Sequence, residues 1–382
     1  MDLIITHPFL HQYGGGERVV LEIAKKFNST IYAIVYEPEK TYPEFKEFDI
    51  RVLPSSSLEK PFFFLKNDHR RSNAVSAGFR YYLTKFHEDY DVIGAMGSPS
   101  EWIRNRNERV SWYCFSPNRE AYDLYDFRMK EMNLQRKLLN IGLLSTFKVA
   151  EYSIVPRIEQ ICTSSEVVRQ RIKKYLHRSD VSIIHPGVDI ELFANESYDK
   201  FFFYPSRIVP EKRFEYVIEA FRLFSAKQKG WKLVLSGYSP KTPREQKYLQ
   251  KLKDLSSNLN IEFKVDISDV ELKKLYANCS VVLFSAINED WGLIPVEAMS
   301  AEKPCISVNE GGPTYSIVDG KTGYLINSPE EMSEKMIHLA ENPDEIERLG
   351  KEGRNRVLAN YTWKIFLDKI ENYYKDVANL TS

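Results

Sequence analysis

Short apolar runs alternate with amphipathic stretches along almost the whole chain, and this alternation limits the fold more than any other feature. The first half contains the runs DLIIT, STIYAIVY, DVIGAM, VSWYCF and EQICTSS, and helical periodicity in segments such as GERVVLEIAKKF. Alternating strands and helices form parallel sheets, because each helix returns the chain to the edge where the next strand begins. The sequence therefore predicts an α/β protein.

The pattern restarts after about residue 196, with FFFYPSR, KLVLSG, IEFKVD, SVVLFSA and CISV, which predicts a second parallel sheet. Between the halves, SIIHPGVDIELF contains a Pro-Gly turn and leads into the polar segment NESYDK, as expected of a hinge. A length of 382 residues suits two domains. We predict Rossmann-like domains over residues 1–195 and 196–360, and a terminal helix over residues 361–382.

Charge and hydropathy narrow the class of protein. Lysine plus arginine equals aspartate plus glutamate, at 53 each, so no overall field attracts nucleic acid. The N-terminus MDLIITHPFL resembles a buried strand more than a signal peptide. A membrane span needs roughly 18 to 20 consecutive uncharged apolar residues. The most apolar region is interrupted by Lys148, Glu151 and Arg157, so we expect no membrane-spanning helix. A cytoplasmic location is predicted, with peripheral membrane attachment left open.

The segment NEDWGLIPVEAMSAEKP, residues 288–304, holds two carboxylates, Glu289 and Glu297, around a glycine turn that leads into a helix. The strand SVVLFSA ends just before it, and ligands of doubly wound folds bind beyond the carboxyl ends of strands. Glu289 is therefore a candidate to bind a sugar, and Glu297 to bind ribose hydroxyls. The alternative is that both are helix-flanking charges favoured by the helix dipole.

A second loop, in SRIVPEKRFEYVIEAF, places Arg207 and Lys212 between a strand and a helix of the same predicted sheet. An arginine fork and a lysine point charge match a diphosphate and can stabilise a leaving nucleoside diphosphate without a metal. An ordinary solvated loop is the alternative. No metal site and no bound cofactor are expected.

A glycine run follows the first strand, and its Gly15 and Gly16 permit close backbone approach to a ligand. The run lacks GxGxxG spacing, and no acidic residue ends a second strand in the dinucleotide manner, which argues against a nicotinamide enzyme. The nucleophile-elbow and Walker motifs are absent from the sequence as well, which argues against hydrolase and kinase functions.

Together these segments resemble the GT-B glycosyltransferases, which have two facing Rossmann domains and a cleft between them, and in particular the retaining enzymes of glycosyltransferase family 4. ITHPFLHQYGGGERVV is similar to the first strand and glycine loop of that family, and SWYCFSPNREAYDLY resembles its mannosyltransferase branch. TSSEVVRQRIKKY and HPGVDIELF match the interdomain region, and SRIVPEKR and EDWGLIPVEAM are the most specific pieces. The resemblance spans nearly the whole chain.

The resemblance implies roles for individual residues. Glu289 would bind the transferred sugar, Glu297 the ribose, and Arg207 with Lys212 the phosphates. Gly292 and Leu293 would offer their backbone to the phosphates. The terminal helix would return to the first domain, and transfer would retain the anomeric configuration without a metal.

Two departures from the family pattern concern activity. Phe115 stands where the mannosyltransferase branch usually has a histidine beside the transferred sugar, and Tyr315 stands at a common glutamate position. His7 and the nearby His11 are candidates to replace the missing histidine. His7, Phe115 and Arg119 are the acceptor-side candidates.

Residues 60–85, KPFFFLKNDHRRSNAVSAGFRYYLTK, mix cations with aromatic side chains. Such a segment suits an anionic membrane interface and, with it, a lipid-linked saccharide acceptor. An ordinary helix with a basic solvated face is the alternative.

The predicted function is transfer of a hexose, mannose from GDP-mannose in the first place, onto a glycan or lipid-linked saccharide. Two alternatives stay open: a UDP-sugar donor, and a catalytically impaired subunit that binds sugar nucleotides and supports a partner enzyme.

Overall fold

The computed structural model describes residues 1–55, 69–130, 132–239 and 242–380; the side chains of residues 69–74 lie outside the description. The chain divides into two compact units. Unit 1 comprises Met1–His185 and Phe366–Ser382, and unit 2 comprises Pro186–Ile365.

Unit 1 is built on a parallel sheet. Its strands in the described residues are β1 (Leu3–Thr6), β2 (Phe9–Leu10), β3 (Thr30–Ala33), β4 (Val35–Tyr36), β5 (Ile50–Val52), β6 (Val92–Met96), β7 (Val110–Cys114), β8 (Gln160–Thr163) and β9 (Val181–Ile183). Seven of them pair in the order β5-β3-β1-β6-β7-β8-β9, and β2 pairs with β4. The order reverses beside β1, which places the loops after β1 and β6 at the switch point where doubly wound folds bind ligands.

The described helices of unit 1 are α1 (Gly15–Phe27), α2 (His69–Leu83), α3 (Tyr125–Lys130), α4 (Leu134–Ile154) and α5 (Glu166–Leu176). Capping residues mark the start of α5 and the end of α1. The Ser165 side chain accepts from the Val168 amide at the start of α5, and Asn28 ends α1 in the left-handed conformation.

Unit 2 carries a second parallel sheet. Its strands are β10 (Asp199–Pro205), β11 (Lys232–Gly237), β12 (Ile261–Val265), β13 (Cys279–Phe284), β14 (Cys305–Val308) and β15 (Gly323–Ile326). They pair in the order β12-β11-β10-β13-β14-β15. Here the order reverses between β10 and β13. The predicted α/β architecture of two parallel sheets is therefore confirmed.

The described helices of unit 2 are α6 (Phe214–Lys227), α7 (Pro243–Leu255), α8 (Asp269–Asn278), α9 (Leu293–Ser300), α10 (Pro313–Ser316), α11 (Pro329–Glu341) and α12 (Pro343–Asn360). The core between helices and sheet is rich in aromatic residues, among them Phe202, Phe203, Phe221 and Phe224, all completely buried. Nearly continuous apolar strands of this kind are typical of a parallel sheet covered on both faces.

The last helix, α13 (Trp363–Asn379), belongs to unit 1 from Phe366 onward. Lys26 and Glu371 form an ion pair at 2.8 Å, and the ring of Phe366 meets that of Tyr113 edge-on, with centroids 6.0 Å apart. The buried face of α13 thus completes the packing of the first sheet.

Unit 2 begins at Pro186, earlier than the boundary at residue 195 expected from the sequence. The reason lies in the segment just after it. The Val188 amide donates to the Tyr361 carbonyl at 2.9 Å, and a guanidinium nitrogen of Arg354 donates to the Phe193 carbonyl at 3.1 Å. This segment therefore packs as part of unit 2, although its composition is that of a hinge.

The helix α4 departs from the sequence expectation about membrane spans. By length and composition, residues Leu134–Arg157 are apolar enough to cross a membrane, with a mean hydropathy of 1.2 over the best window. Arg136 and Lys137 lie in its first turn, and Lys148, Glu151 and Arg157 lie toward its C-terminal end. The turns between these two groups carry no charge. Only 33% of that window is buried, so α4 packs one face on unit 1 and leaves the other exposed.

Two carboxyl groups, Glu101 and Glu151, are completely buried in unit 1. Glu101 accepts from the Ser98 hydroxyl at 3.0 Å, and Glu151 accepts from the Tyr122 hydroxyl at 2.7 Å. Burial raises the pKa of both carboxyls well above the ordinary value of 4.5, and the charge of Glu151 raises the pKa of Glu101 further.

This burial predicts a pH-dependent stability. As pH rises above 4.5, the unfolded chain releases a proton that the folded carboxyl retains. The free energy of unfolding should therefore fall with rising pH, by up to about 1.4 kcal/mol per pH unit for each such group. Urea denaturation of wild type and Glu151→Gln between acidic and neutral pH measures the slope. Glu151→Gln should reduce the dependence of the free energy of unfolding on pH, whereas the exposed-site control Glu347→Gln should not. Equal slopes for all three proteins would contradict the raised pKa of Glu151.

Candidate active site

Two loops of unit 2 flank its switch point. One follows β10 and carries residues 206–213, and the other follows β13 and carries residues 285–292. Because β10 and β13 are neighbouring parallel strands, both loops leave the sheet at the same edge. The two groups of residues that the sequence singles out are thereby brought side by side.

Hydrogen bonds from buried side chains hold the backbone of the first loop in place. The carbonyl of Lys212 accepts from the Tyr204 hydroxyl at 2.6 Å and from the Ser285 hydroxyl at 2.9 Å. Arg213 adopts the left-handed conformation, with φ of 48°, and its Nε donates to the Ser285 carbonyl at 2.6 Å. The start of α6 is thus tied to the end of β13, and the Lys212 side chain projects from a rigid base.

Lys212 and Glu289 form an ion pair. The Nζ of Lys212 donates to the Glu289 carboxylate at 2.5 Å, and the two side chains are 13% and 24% exposed. The same ammonium lies 5.9 Å from the centre of the Phe284 ring. A half-buried cation and a half-buried carboxylate therefore lie side by side. The ammonium is suited to a diphosphate, and the carboxylate can accept from a sugar hydroxyl.

A third loop, after β14, supports Glu289. Its Gly312 amide donates to the Glu289 carbonyl at 2.7 Å. The Glu310 carboxylate accepts from the Arg213 guanidinium and, at 3.0 Å, from the Asn288 amide. Glu310 thereby connects the two loops that carry Lys212 and Glu289.

Gly311 makes this close approach possible. Its φ is 71°, and a side-chain carbon added there would lie 2.5 Å from the Glu289 nitrogen and 2.6 Å from the Glu289 oxygen. Glycine is required for two reasons: the backbone is in the left-handed conformation, and the Glu289 backbone occupies the space that a side chain would need. The sequence pattern singles out only Tyr315 near this turn and does not mark Gly311, Glu310 or Arg213. The adjacent Glu-Gly-Gly-Pro run after a strand is the signal that points to them.

Gly292 and Leu293 lie where the second loop becomes a helix. Gly292 has a φ of 81° and precedes α9, whose first residue is Leu293. The first amides of a helix have no partners within it and carry a partial positive charge. The N-terminus of α9 is therefore suited to an anion, as the resemblance implies.

Glu297 lies on α9 and accepts from the Tyr276 hydroxyl at 2.7 Å. Burial raises the pKa of the Glu297 carboxyl, and the hydrogen bond from Tyr276 opposes that rise. Tyr276 itself is completely buried between the rings of Phe193 and Phe203. The orientation of Glu297 is thus set by a buried tyrosine that the sequence does not mark.

Arg207 is exposed, and its carbonyl accepts from the Val209 amide at 2.8 Å. It shares the first loop with Lys212 but extends into solvent. Tyr315 is 44% exposed, and its carbonyl accepts from the Arg356 guanidinium at 2.8 Å. The tyrosine at this position is therefore held by its backbone.

In unit 1, His7 and Phe115 come together at the carboxyl ends of β1 and β7. Their rings meet edge-on, with centroids 6.3 Å apart. A side-chain carbon on Gly16 or Gly97 would lie 3.4 or 3.0 Å from the Phe115 ring. Phe115 thus fills the space beside two glycines, at the switch point of the first sheet.

His7 is buried, and its Nδ1 lies 3.0 Å from the Met96 carbonyl. Burial lowers the pKa of His7, so the ring is neutral at neutral pH. A neutral ring whose Nδ1 donates to a carbonyl leaves Nε2 as an acceptor.

The other unit 1 candidates lie in the first turn of α1 and in the turn before α3. Gly15 and Gly16 form the first turn of α1. Arg119 forms an ion pair with Asp123 at 2.9 Å, and Asp123 also lies 3.5 Å from Arg171. Among the described residues, no group of three or more histidine, cysteine, aspartate or glutamate side chains has the arrangement of a metal site.

Comparison with known proteins decides the family. A family model described as glycosyl transferases group 1 matches residues 189–356. The trehalose synthase of Pyrococcus horikoshii is 30% identical over 323 residues, which cover 79% of this chain and 69% of that protein. The chain belongs to the group 1 glycosyltransferases.

Other similarities span this glycosyltransferase from end to end. The alpha-1,3/1,6-mannosyltransferase ALG2 of Dictyostelium discoideum is 23% identical and aligns over 98% of each chain. A crystal structure of Anabaena HepE in complex with UDP and glucose superposes with a TM-score of 0.73, at 15% identity, over 98% of this chain and 99% of that one. The latter similarity concerns the fold alone. The predicted GT-B fold and the predicted hexosyltransferase activity are confirmed.

Proposed function

We propose that this glycosyltransferase transfers mannose from GDP-mannose to a glycan or lipid-linked saccharide, with retention of the anomeric configuration, as a member of glycosyltransferase family 4. The observation that carries the proposal is the Lys212–Glu289 pair at the switch point of unit 2. The end-to-end similarity to a mannosyltransferase supports the choice of sugar.

In the proposed reaction, the bond between the anomeric carbon and the diphosphate oxygen breaks. The acceptor hydroxyl oxygen bonds to that carbon from the same face, and its proton passes to the leaving phosphate. Lys212 and the exposed Arg207 neutralise the charge that develops on the diphosphate. The N-terminus of α9, with Gly292 and Leu293, adds backbone donors. No metal is needed, so a chelator should leave turnover unchanged.

Glu289 has two tasks in this scheme. It accepts from hydroxyls of the transferred sugar, and it holds the Lys212 ammonium in place before the donor arrives. Glu297 binds the nucleotide ribose in an orientation set by Tyr276. Within unit 1, Gly15 and Gly16 are assigned to donor binding. The acceptor-side assignments are His7, Phe115 and Arg119.

The proposal also includes membrane contact and a cytoplasmic location. Contact with an anionic membrane through residues 60–85 would bring a lipid-linked acceptor to the enzyme on the cytoplasmic face. Residues 60–68 of this segment, and the side chains of residues 69–74, lie outside the described residues. Neutralising the three arginines of the segment, Arg70, Arg71 and Arg80, should weaken sedimentation with anionic vesicles.

A UDP-sugar donor is the nearest variant, since the HepE structure was obtained with UDP and glucose. Phe115 favours the other alternative, an impaired subunit, because a phenylalanine cannot hydrogen-bond a sugar. The paired Lys212 and Glu289 argue for an active enzyme.

A donor panel tests the function. Calorimetry and product release would be measured with GDP-mannose, UDP-glucose, UDP-galactose and UDP-N-acetylglucosamine. We expect wild type to bind GDP-mannose selectively and release nucleotide, and Glu289→Ala to lose release while the exposed-site control Glu262→Ala keeps it. Selective use of a UDP-sugar would replace the donor assignment. Binding of none of the four would favour the impaired subunit.

A further inference from the structure

The helix α4 of unit 1 presents an exposed apolar stripe along its length. The stripe consists of residues three, four or eight positions apart, spacings that place them on one helix face. Its members are Leu134, Leu138, Ile141, Val149 and Tyr152, between 44% and 71% exposed. Contiguous apolar surface of this kind on a folded protein marks an interaction site.

The opposite face fixes the helix to unit 1. Leu143, Leu144, Phe147 and Ile154 are buried in it, as is the carboxyl of Glu151, which accepts from the Tyr122 hydroxyl. A helix held in this way lies along the surface of unit 1. Its stripe is presented sideways, as in helices that bind in the plane of a membrane interface.

The charges beside the stripe have one sign. Lys137 and Lys148 lie beside it by their helical spacing, whereas Arg136 lies on the opposite side of the first turn. The single acidic residue of α4 is the buried Glu151. The chain as a whole has no net charge, so this basic border is a local feature. It complements an anionic surface and would repel a basic one.

A cavity of about 370 Å³ opens at the C-terminal end of the stripe. Tyr152 belongs to both. The cavity is also lined by Lys148, Lys174, His177 and Tyr122, with Asp126 as its acidic residue. The Lys148 ammonium lies 5.1 Å from the centre of the Tyr122 ring. The Lys148 and Lys174 ammonium groups at this position suit a phosphate group held at the edge of an apolar surface.

We infer that α4 docks unit 1 on an anionic phospholipid bilayer, with the apolar stripe at the boundary of headgroups and acyl chains. Lys137 and Lys148 face lipid phosphates, and the cavity receives one headgroup. The inference is independent of the proposed donor and acceptor, because it rests on the surface of unit 1 alone. It also differs from contact through residues 60–85, since other side chains are involved.

Vesicle sedimentation with the full chain, without substrates, tests it. Vesicles of phosphatidylcholine alone would be compared with vesicles that contain about 30% phosphatidylserine. Leu138→Glu and Val149→Glu change residues that are 64% and 69% exposed, and Val270→Glu changes a 64% exposed residue of unit 2 as a matched control. Leu138→Ser removes apolar surface without adding charge, and circular dichroism checks that each variant remains folded.

Wild type should bind the anionic vesicles in preference to the neutral ones. Leu138→Glu and Val149→Glu should each weaken binding by about tenfold, Leu138→Ser by several-fold, and Val270→Glu not at all. Equal binding of wild type and the stripe variants would overturn the inference, as would failure of wild type to bind anionic vesicles. Loss of a dimer in the stripe variants, without vesicle binding by wild type, would assign the stripe to a second copy of the chain instead.

Discussion

Replacing Lys212 with alanine should lower the turnover number by about 100- to 1,000-fold, the usual loss when one strong electrostatic donor to a developing negative charge is removed. In the structure the Lys212 side chain is 13% exposed, and its ammonium lies 2.5 Å from the Glu289 carboxylate. The Lys212 backbone carbonyl accepts from the Tyr204 and Ser285 hydroxyls. A water molecule in place of the ammonium would stabilise the leaving diphosphate less than a preorganised cation does. Initial rates of nucleoside diphosphate release at saturating donor measure the change.

The matched control is Lys232→Ala. Lys232 also pairs with a glutamate in unit 2, Glu262, at 3.3 Å, but both side chains are 43% exposed. This pair lies at the amino ends of β11 and β12, whereas Lys212 and Glu289 follow the carboxyl ends of β10 and β13. Turnover of this variant should stay near that of wild type, and both variants should melt within a few degrees of wild type, because partly exposed pairs contribute about 1 kcal/mol or less. Near-normal turnover in Lys212→Ala would remove Lys212 from the diphosphate site.

Replacing Gly311 with alanine should reduce kcat/KM by about 100-fold or more, although Gly311 carries no side chain that could touch a substrate. The added carbon would lie 2.5 Å from the Glu289 nitrogen, so the Glu289 loop must shift. A displacement of about 1 Å in a catalytic group is enough for such a loss. Steady-state kinetics and thermal unfolding would be measured together.

Gly320→Ala separates the two effects of the substitution. Gly320 has a φ of 68°, close to the 71° of Gly311, but a side-chain carbon there meets nothing within 4 Å. Both variants should lose about 1 kcal/mol of stability from the left-handed conformation. Only Gly311→Ala should lose activity. Equal activity of the two variants would show that the contact with Glu289 does not position it.

The fold was largely predictable because its determinants are local. Strand and helix periodicities, the restart near residue 196 and the capping residues are all read within about ten positions of the chain. Loop residues after β10 and β13 were identified for the same reason, since each loop follows an apolar strand and precedes a helix. The boundary at Pro186 was missed because the hinge-like composition of the following segment conceals its hydrogen bonds to Tyr361 and Arg354.

The sequence by itself therefore determined the α/β class, the two parallel sheets and the identity of Lys212 and Glu289 as site candidates. Only the tertiary structure decided that these two side chains pair, across 77 positions of sequence, and that Glu310 and Gly311 hold their loops together. It also decided that Glu297 meets Tyr276 and that one face of α4 is left exposed. The reason is that hydropathy patterns specify which residues are buried, whereas the partner of each residue depends on strand order, which no local pattern encodes.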